Sequence, residues 1–443
     1  MRSRVLFFLL AVTLASALYA GRTRGARRTE SNGPTFNKEI VRIFQQNCQT
    51  CHRPGDIAPF SLLTYTDAKP WASNIKFMTQ TRQMPPWKPE EGCGEFRDAR
   101  RLSQAEIDLI ARWADGGAPE GNATDLPPTR EFPSEWALGE PDLTLQPPQP
   151  YTATGSSDVY RCFPIDAQAT EDRYVAAVDV RPGNRQKVHH VIAFLDTTGE
   201  SAALDASDPG PGYPCFGGPG FNATGALGGW APGARPYFLP DGVALSLPRG
   251  AKVILQVHYH PEGGEGADQT QIALYFSKPP VRKLMRILPL WNRSLVIPPE
   301  AANHQVDASF TIPFFLAAHA LSITPHMHLL GRKMKVEAVL PNGSTTCLID
   351  IQDWDFNWQG TYVFKDPVPL GGNTKVELTA FYDNSLANPK NPNNPPKEVR
   401  WGEETTDEMC LAFIGFTIDS EDLTSQQKLP SDESWIPPLF PPR

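Results

Sequence analysis

Residues 251–260 read AKVILQVHYH. The run is rich in β-branched and aliphatic residues, which predicts a strand, and in a strand His258 and His260 lie on one face. The same texture recurs at 173–180 (RYVAAVDV), 189–196 (HHVIAFLD), 271–277 (QIALYFS), 334–340 (MKVEAVL) and 375–383 (KVELTAFYD). Gly, Pro and Asn turns separate these runs, and helical patterns are nearly absent between them. From about residue 151 onward the chain therefore reads as all-β, roughly 275 residues, enough for two sandwiches. WNRSLVIPPE, near residue 291, is a reasonable start for the second.

The texture before residue 151 differs. FNKEIVRIFQQNCQTCH (36–52) places Ile40, Ile43 and Phe44 at helical spacing. SQAEIDLIARWADGGAP (103–119) opens with Ser103 as a cap, with Glu106 in the capping-box position, and stops at Gly116-Gly117. Residues 123–150 are rich in Pro and read as a linker, and 427–443 as a Pro-rich tail. At the other end, Arg2 and Arg4 precede the apolar run VLFFLLAVTLASAL and a small-residue cleavage site near Ala20. Residues 1–20 are thus read as a cleaved signal peptide and 21–34 as a flexible basic arm, which places the protein in the periplasm or outside the cell. No other run is long and apolar enough to span a membrane. Of the 443 residues 40% are hydrophobic and 20% charged, which fits a folded soluble protein. The net charge of −8 argues against nucleic acid as a partner.

CQTCH, residues 48–52, sets two thiols two residues apart before a histidine. Cys48 and Cys51 are spaced to bond the two vinyl groups of a haem, with His52 under the iron. A redox disulfide or half of a zinc site is the competing reading, but no second CxxC completes a zinc site. The sixth ligand is expected at Met84, before the Pro85-Pro86 turn in RQMPPW, with Met78 as the other candidate. Residues 35–122 resemble a class I cytochrome c domain: CxxCH, the Met loop and the closing helix follow in order.

The chain has nine histidines, and seven fall in tight groups: His52 in CH, His189 and His190 in VHHV, His258 and His260 in VHYH, and His326 and His328 in PHMH. Strand alternation sets His326 and His328 on one face and Met327 on the other. Two imidazoles on one face make half of a metal site, and the soft thioether of Met409 in TTDEMCLAF would suit Cu(I) better than zinc. His189 and His190 are neighbours, which point apart in a regular strand, so both ligate only if the strand bends or ends there.

DVYRC, VHHVIAF, LQVHYH, VIPPE, PHMHLLGRKM and TDEMCLAFIGF, in this order over about residues 155–420, resemble the copper type II, ascorbate-dependent monooxygenases. That is the group of peptidylglycine α-hydroxylating and dopamine β-monooxygenases. The resemblance implies two jelly-roll-like sandwiches, 151–285 and 286–426, each holding one copper. It implies an electron-transfer copper on His189, His190 and His258. It implies an oxygen-activating copper on His326, His328 and Met409, with Gln256 supporting the first site. It further implies a Cys162–Cys215 disulfide. Cys410 is bridged in the family, but its usual partner falls near Ala380, so Cys347 is taken as the substitute and Cys93 is left free. His260 has no counterpart and falls in the surroundings or on the surface. The residues that hold a peptide carboxylate in the peptide-hydroxylating branch fall on Thr324, Leu411 and Phe413, so a peptide carboxylate is not the expected substrate.

These readings lead to an exported copper monooxygenase with two copper ions and one covalently attached haem c. It would hydroxylate a C–H bond of a small substrate with O2. Its one-electron donor would be ascorbate or a redox protein, relayed through the attached haem. The alternative is a non-catalytic electron-transfer or copper-binding protein on the same scaffold.

Overall fold

A computed structural model describes residues 33–54, 56, 58–132, 136–155, 157–232, 234–260, 264–425 and 436–437. The signal peptide, nearly all of the basic arm and most of the Pro-rich tail lie outside the described residues.

The helical part is built on a π-helical turn, Phe36–Ile40, that runs into α1 (Val41–Asn47), followed by α2 (Ala72–Gln80) and α3 (Gln104–Asp115). Ser103 and Glu106 form the expected capping box, which satisfies backbone N–H groups that the first turn of α3 leaves without partners. Phe36, Phe44, Ile110 and Trp113 close a separate small core. The Pro-rich segment that follows is held along α1, with Arg42 donating to the Asp125 carbonyl at 3.1 Å and Gln45 to the Pro128 carbonyl at 2.9 Å. Its last residues, Leu143–Leu145, already form an edge strand of the first sandwich.

In that sandwich one sheet contains β1 (Val159–Asp166), β2 (Val188–Asp196) and β3 (Lys252–Tyr259), with β3 at the centre between β1 and β2. A second five-stranded sheet faces it across a core that includes Val175, Leu247, Val253, Leu255 and Ile272. In the second sandwich β4 (Ala318–His326) pairs with β6 (Leu411–Ile418) in one sheet, while β5 (Gly331–Val339) lies in the facing sheet. Alternation is clearest along β5, where Met334, Val336 and Ala338 are fully buried and Lys333, Lys335 and Glu337 are not. Each fully buried aliphatic side chain contributes about 1.5–3 kcal/mol, so the alternation fixes which face turns inward.

The helical part is docked on the second sandwich by the segment between α2 and α3. Glu90 N–H donates to the Asp350 carbonyl at 2.7 Å, Arg97 N–H to the Val363 carbonyl at 2.8 Å, and Lys365 N–H to the Glu95 carbonyl at 2.8 Å. Trp87 and Phe96 pack on Tyr362 with ring centroids 5.3 and 5.5 Å away, and Phe96 stacks on Phe364.

The cysteines correct one expectation. Cys162 is bonded to Cys215 as expected, but Cys347 is bonded to Cys93, and Cys410 is a buried free thiol. The sheet geometry explains why Cys347 does not reach Cys410. The Cys410 sulfur lies 3.9 Å from the Val306 carbonyl, on one edge strand of the four-stranded sheet; Cys347 is on the opposite edge strand. Three strand spacings of about 4.8 Å separate those edges, beyond the roughly 7 Å between Cα atoms that a disulfide spans. At its own edge Cys347 meets the docked segment and Cys93, which is therefore not left over.

Candidate metal centre

His190 on β2 stands directly opposite His258 on β3. The β2–β3 register shifts between Val188 and His190. That irregularity is the bend the sequence required: it lets His189 and His190, neighbours in sequence, turn to one side. The Nδ1 atoms of His189 and His258 are each 3.3 Å from Nδ1 of His190, and one ligand atom from each residue lies within 4.8 Å of the others. Three nitrogens held about 2 Å from one metal ion stand at such separations.

The far side of His258 is anchored. Its Nε2 is 3.1 Å from Asp158 Oδ2, Thr405 donates to the same oxygen at 2.6 Å, and His260 Nδ1 is 2.7 Å from Oδ1. Burial pushes the Asp158 carboxyl up, but the hydrogen bonds from His258, Thr405 and His260 outweigh it and hold the group well below the usual carboxylate range. Nε2 lies off the line of a hydrogen bond to Oδ2, but a carboxylate 3.1 Å away favours the proton on Nε2 and leaves Nδ1 free to ligate. Tyr160 stacks on the His258 ring at 4.1 Å and 10°, its hydroxyl donating to the Glu403 carbonyl at 2.9 Å. His260 is thus a partner of Asp158. Gln256, on the same strand as His258, donates to the Cys215 carbonyl at 2.8 Å and makes no hydrogen bond to a ligand imidazole.

In the second sandwich the roles of the two ring nitrogens are reversed. His326 Nδ1 is hydrogen-bonded to Gln359 Oε1, and His328 Nδ1 to the Asp407 carbonyl at 3.1 Å, which leaves both Nε2 atoms for a ligand. Their ring centroids are 5.1 Å apart. Met327 is fully buried in the core, as its place on the other face requires. His326 pairs with Leu411 at the end of the β4–β6 ladder, and His328 and Met409, just beyond it, both line the cavity described below. Glu408 ties the two segments together. Its carboxylate accepts from the backbone N–H of His328 (2.8 Å), Leu330 (2.8 Å), Gly331 (3.2 Å) and Met409 (2.9 Å). Burial pushes its carboxyl up to about 8 against those four bonds. Tyr382, fully buried, donates to the Met409 carbonyl at 2.9 Å from the facing sheet.

Both groups open onto one cavity of about 290 Å³, whose lining includes His189, His190, His326, His328 and Met409. Phe356 stands between them, stacked on His189 at 4.9 Å and 17° and edge-on to His328 at 5.8 Å. Thr324, Leu411 and Phe413 line the cavity, with Leu227, Trp230 and Ile287 among its apolar walls. Burial holds His189 down at about 3 and His326 at about 4, and His190 and His328 well below the ordinary value, so all four imidazoles are neutral donors.

At the end of α1, Cys48 and Cys51 are free thiols, unlike the four bridged cysteines, and burial pushes Cys48 up to about 12. His52 Nδ1 is 3.1 Å from the Phe60 carbonyl, so Nε2 is the nitrogen left to ligate. Met84 N–H donates to the Met78 carbonyl at 3.1 Å, and Met84 precedes the Pro85-Pro86 turn. This donor set fits a thioether-linked haem, though no contact places Met84 opposite His52.

Reading the sequence missed Asp158, Gln359, Glu408 and Phe356. Asp158 and Glu408 sit inside the motifs DVYRC and TDEMC, where a carboxylate beside ligands is the available signal. Phe356 and Gln359 lie in the loop DWDFNWQG, which has no periodicity to mark it.

Residues 284–434 match the family described as copper type II ascorbate-dependent monooxygenase, C-terminal domain. This supports a copper monooxygenase-like function. The match spans the second sandwich with His326, His328 and Met409. A search of the curated proteins gave no match. Among solved structures, the chain is similar to the major capsid protein P2 from bacteriophage PM2, at 8% identity over 65% of this chain and 99% of that one, TM-score 0.29. It is also similar to a peptide-N(4)-(N-acetyl-β-D-glucosaminyl) asparagine amidase, at 12% identity over 65% and 97%, TM-score 0.30. At these TM-scores neither likeness carries an argument. Among the described residues no helix is long and apolar enough to cross a membrane.

Proposed function

We propose that this chain is an exported copper-dependent monooxygenase that hydroxylates a C–H bond of a small, largely apolar molecule with O2. One electron source would be a c-type haem on Cys48, Cys51 and His52. The observation that carries the reading is the shared cavity: a three-imidazole group and a His-His-Met group face one apolar space of about 290 Å³.

His189, His190 and His258 would hold one copper through Nδ1, and His326 and His328 the other through Nε2 with the Met409 thioether. Copper bound there would supply one-electron chemistry and O2 activation, and the soft Met409 ligand favours Cu(I). The chain's own part is to keep the imidazoles neutral and aimed. Asp158 orients His258, Gln359 orients His326, and the Asp407 carbonyl orients His328. The apolar walls would exclude water from the reacting C–H bond. Thr324, Leu411 and Phe413 offer no cation to a carboxylate, which supports a neutral substrate end at that wall.

The first test is metal content, copper by elemental analysis and haem by absorbance, on the wild-type protein and His326→Ala. Two coppers per haem, falling to one in the variant, are expected, and O2 uptake with apolar substrates then follows. Copper content unchanged by the substitution would show that the ligands are misassigned. Two coppers without O2 uptake on any C–H substrate would favour an electron-transfer role.

A further inference from the structure

Arg235, on the connection between strands Gly225–Trp230 and Val243–Leu247, lies where the helical part and both sandwiches meet. Its side chain lines the metal cavity together with His190 and His326. It also lines a second pocket of about 70 Å³ with Pro86, Trp87 and Arg100 from the helical part and Tyr362 from the second sandwich. Its Nε is buried without a hydrogen-bond partner among the described residues. A buried guanidinium N–H left without an acceptor is costly, and the acids that act on Arg235 across the junction, Asp98 and Asp56, make no hydrogen bond to that Nε.

The neighbours deepen the deficit. Arg97 and Arg100 line the same small pocket, where Asp98 is the acid. Arg53 and Arg130 stack over the ring of Phe132 at 4.5 and 5.1 Å. Arg53 is paired with Asp56 at 2.9 Å, and that carboxylate also receives Arg185 at 3.5 Å. Guanidinium groups thus outnumber carboxylates around one spot, and the spot adjoins the CQTCH turn: Arg235 and Arg100 both act electrostatically on Cys51. Burial, and then the charge of Arg100, hold the Arg235 guanidinium below its ordinary value against the opposing pull of Asp98 and Asp56.

We infer that Arg235 is a carboxylate-receiving residue that binds a propionate of the haem held at Cys48, Cys51 and His52, reaching it from the copper side of the junction. The inference rests on the haem reading above. A haem brings two carboxylates, the chemistry that the arginine excess lacks, and an arginine fork takes a carboxylate in a bidentate pair. Arg235 is a positioning residue here: it would fix the haem edge against the wall of the metal cavity, and its charge would favour reduced iron and an ionised propionate. A carboxylate could also come from an anionic molecule inside the metal cavity, since Arg235 lines that too.

The experiment is a redox titration of the haem-loaded full chain as a function of pH, for wild type, Arg235→Gln and Arg235→Lys, with copper content as the check on folding. Expected is a lower haem midpoint potential in Arg235→Gln. That variant's potential should also vary with pH through the mildly acidic range where the wild type is flat. Arg235→Lys should restore most of both. An unchanged potential and pH profile in copper-loaded Arg235→Gln would overturn the inference. If KM for an anionic reductant or substrate rises instead, the carboxylate belongs to the metal cavity. Should Arg235→Gln fail to hold copper, Arg235→Met takes its place, and an unchanged potential there also overturns the inference. Protein matured in a haem-attaching host yet free of covalent haem would overturn the haem reading and this inference together.

Discussion

Asp158 and Gln359 decide which nitrogen of His258 and of His326 is free, and they act on opposite sandwiches. Each should therefore govern its own site alone. Asp158→Asn is expected to weaken copper binding at the three-histidine group about 10–100-fold, and Gln359→Leu to do the same at the His326 group. Titration against a competing chelator would show each change confined to one of two binding steps; a change in both would mean that the sites are not independent. The buried imidazoles also make a prediction about acid. His326 is held at about 4 and His189 at about 3, against an ordinary 6.5. In that window the four buried imidazoles bind protons only in the unfolded chain while Glu408, pushed up to about 8, binds one only in the native chain, so four groups against one make stability rise with pH. The copper-free protein should lose stability as pH falls from about 6.5 toward 4, and denaturant melts across that range would measure it. Flat stability there would mean that the native rings protonate freely.

At the level of elements, two joints hold the second site and the helical part in place. Glu408 gathers four backbone N–H groups from the turn after β4 and the segment before β6. Glu408→Ala leaves them buried and unsatisfied, each costing about 1–3 kcal/mol, so this variant should lose most of its stability in chemical denaturation. Near-normal stability would show that water replaces the carboxylate. Cys93–Cys347 joins the docked segment to an edge strand 254 residues away in sequence. Cys93→Ser should cost about 2–5 kcal/mol and make the stretch between α2 and α3 the first point of proteolysis, because its backbone bonds and aromatic contacts remain but open more often. A melting temperature equal to the wild type's would mean that the aromatic contacts suffice.

At the level of the whole molecule, the helical core and the two sandwich cores are separate, and the candidate metal cavity opens between the two sandwiches. A chain lacking residues 33–122 should still bind two coppers. It should also be less stable and prone to associate, since Tyr362 and Phe364 lose the cover of Trp87 and Phe96, worth about 1.5–3 kcal/mol for each ring exposed. Elemental analysis and light scattering would check both points, and loss of copper would show that the helical part shapes the sites. What is local or periodic was legible along the chain. The strand runs place His326 and His328 on one face and Met327 in the core, Ser103 and Glu106 cap their helix, and adjacent His189 and His190 demand a bend. Those outcomes follow from side-chain alternation and short-range bonds, which a few consecutive residues encode. Long-range packing set the rest: Cys347 bonds Cys93, Phe356 stands between the two ligand groups, and Arg235 reaches the junction of all three parts. The disulfide joins residues far apart in the chain, and Phe356 and Arg235 lie on connections without periodicity. Their positions are therefore set by how whole sheets pack and dock rather than by any pattern along the chain.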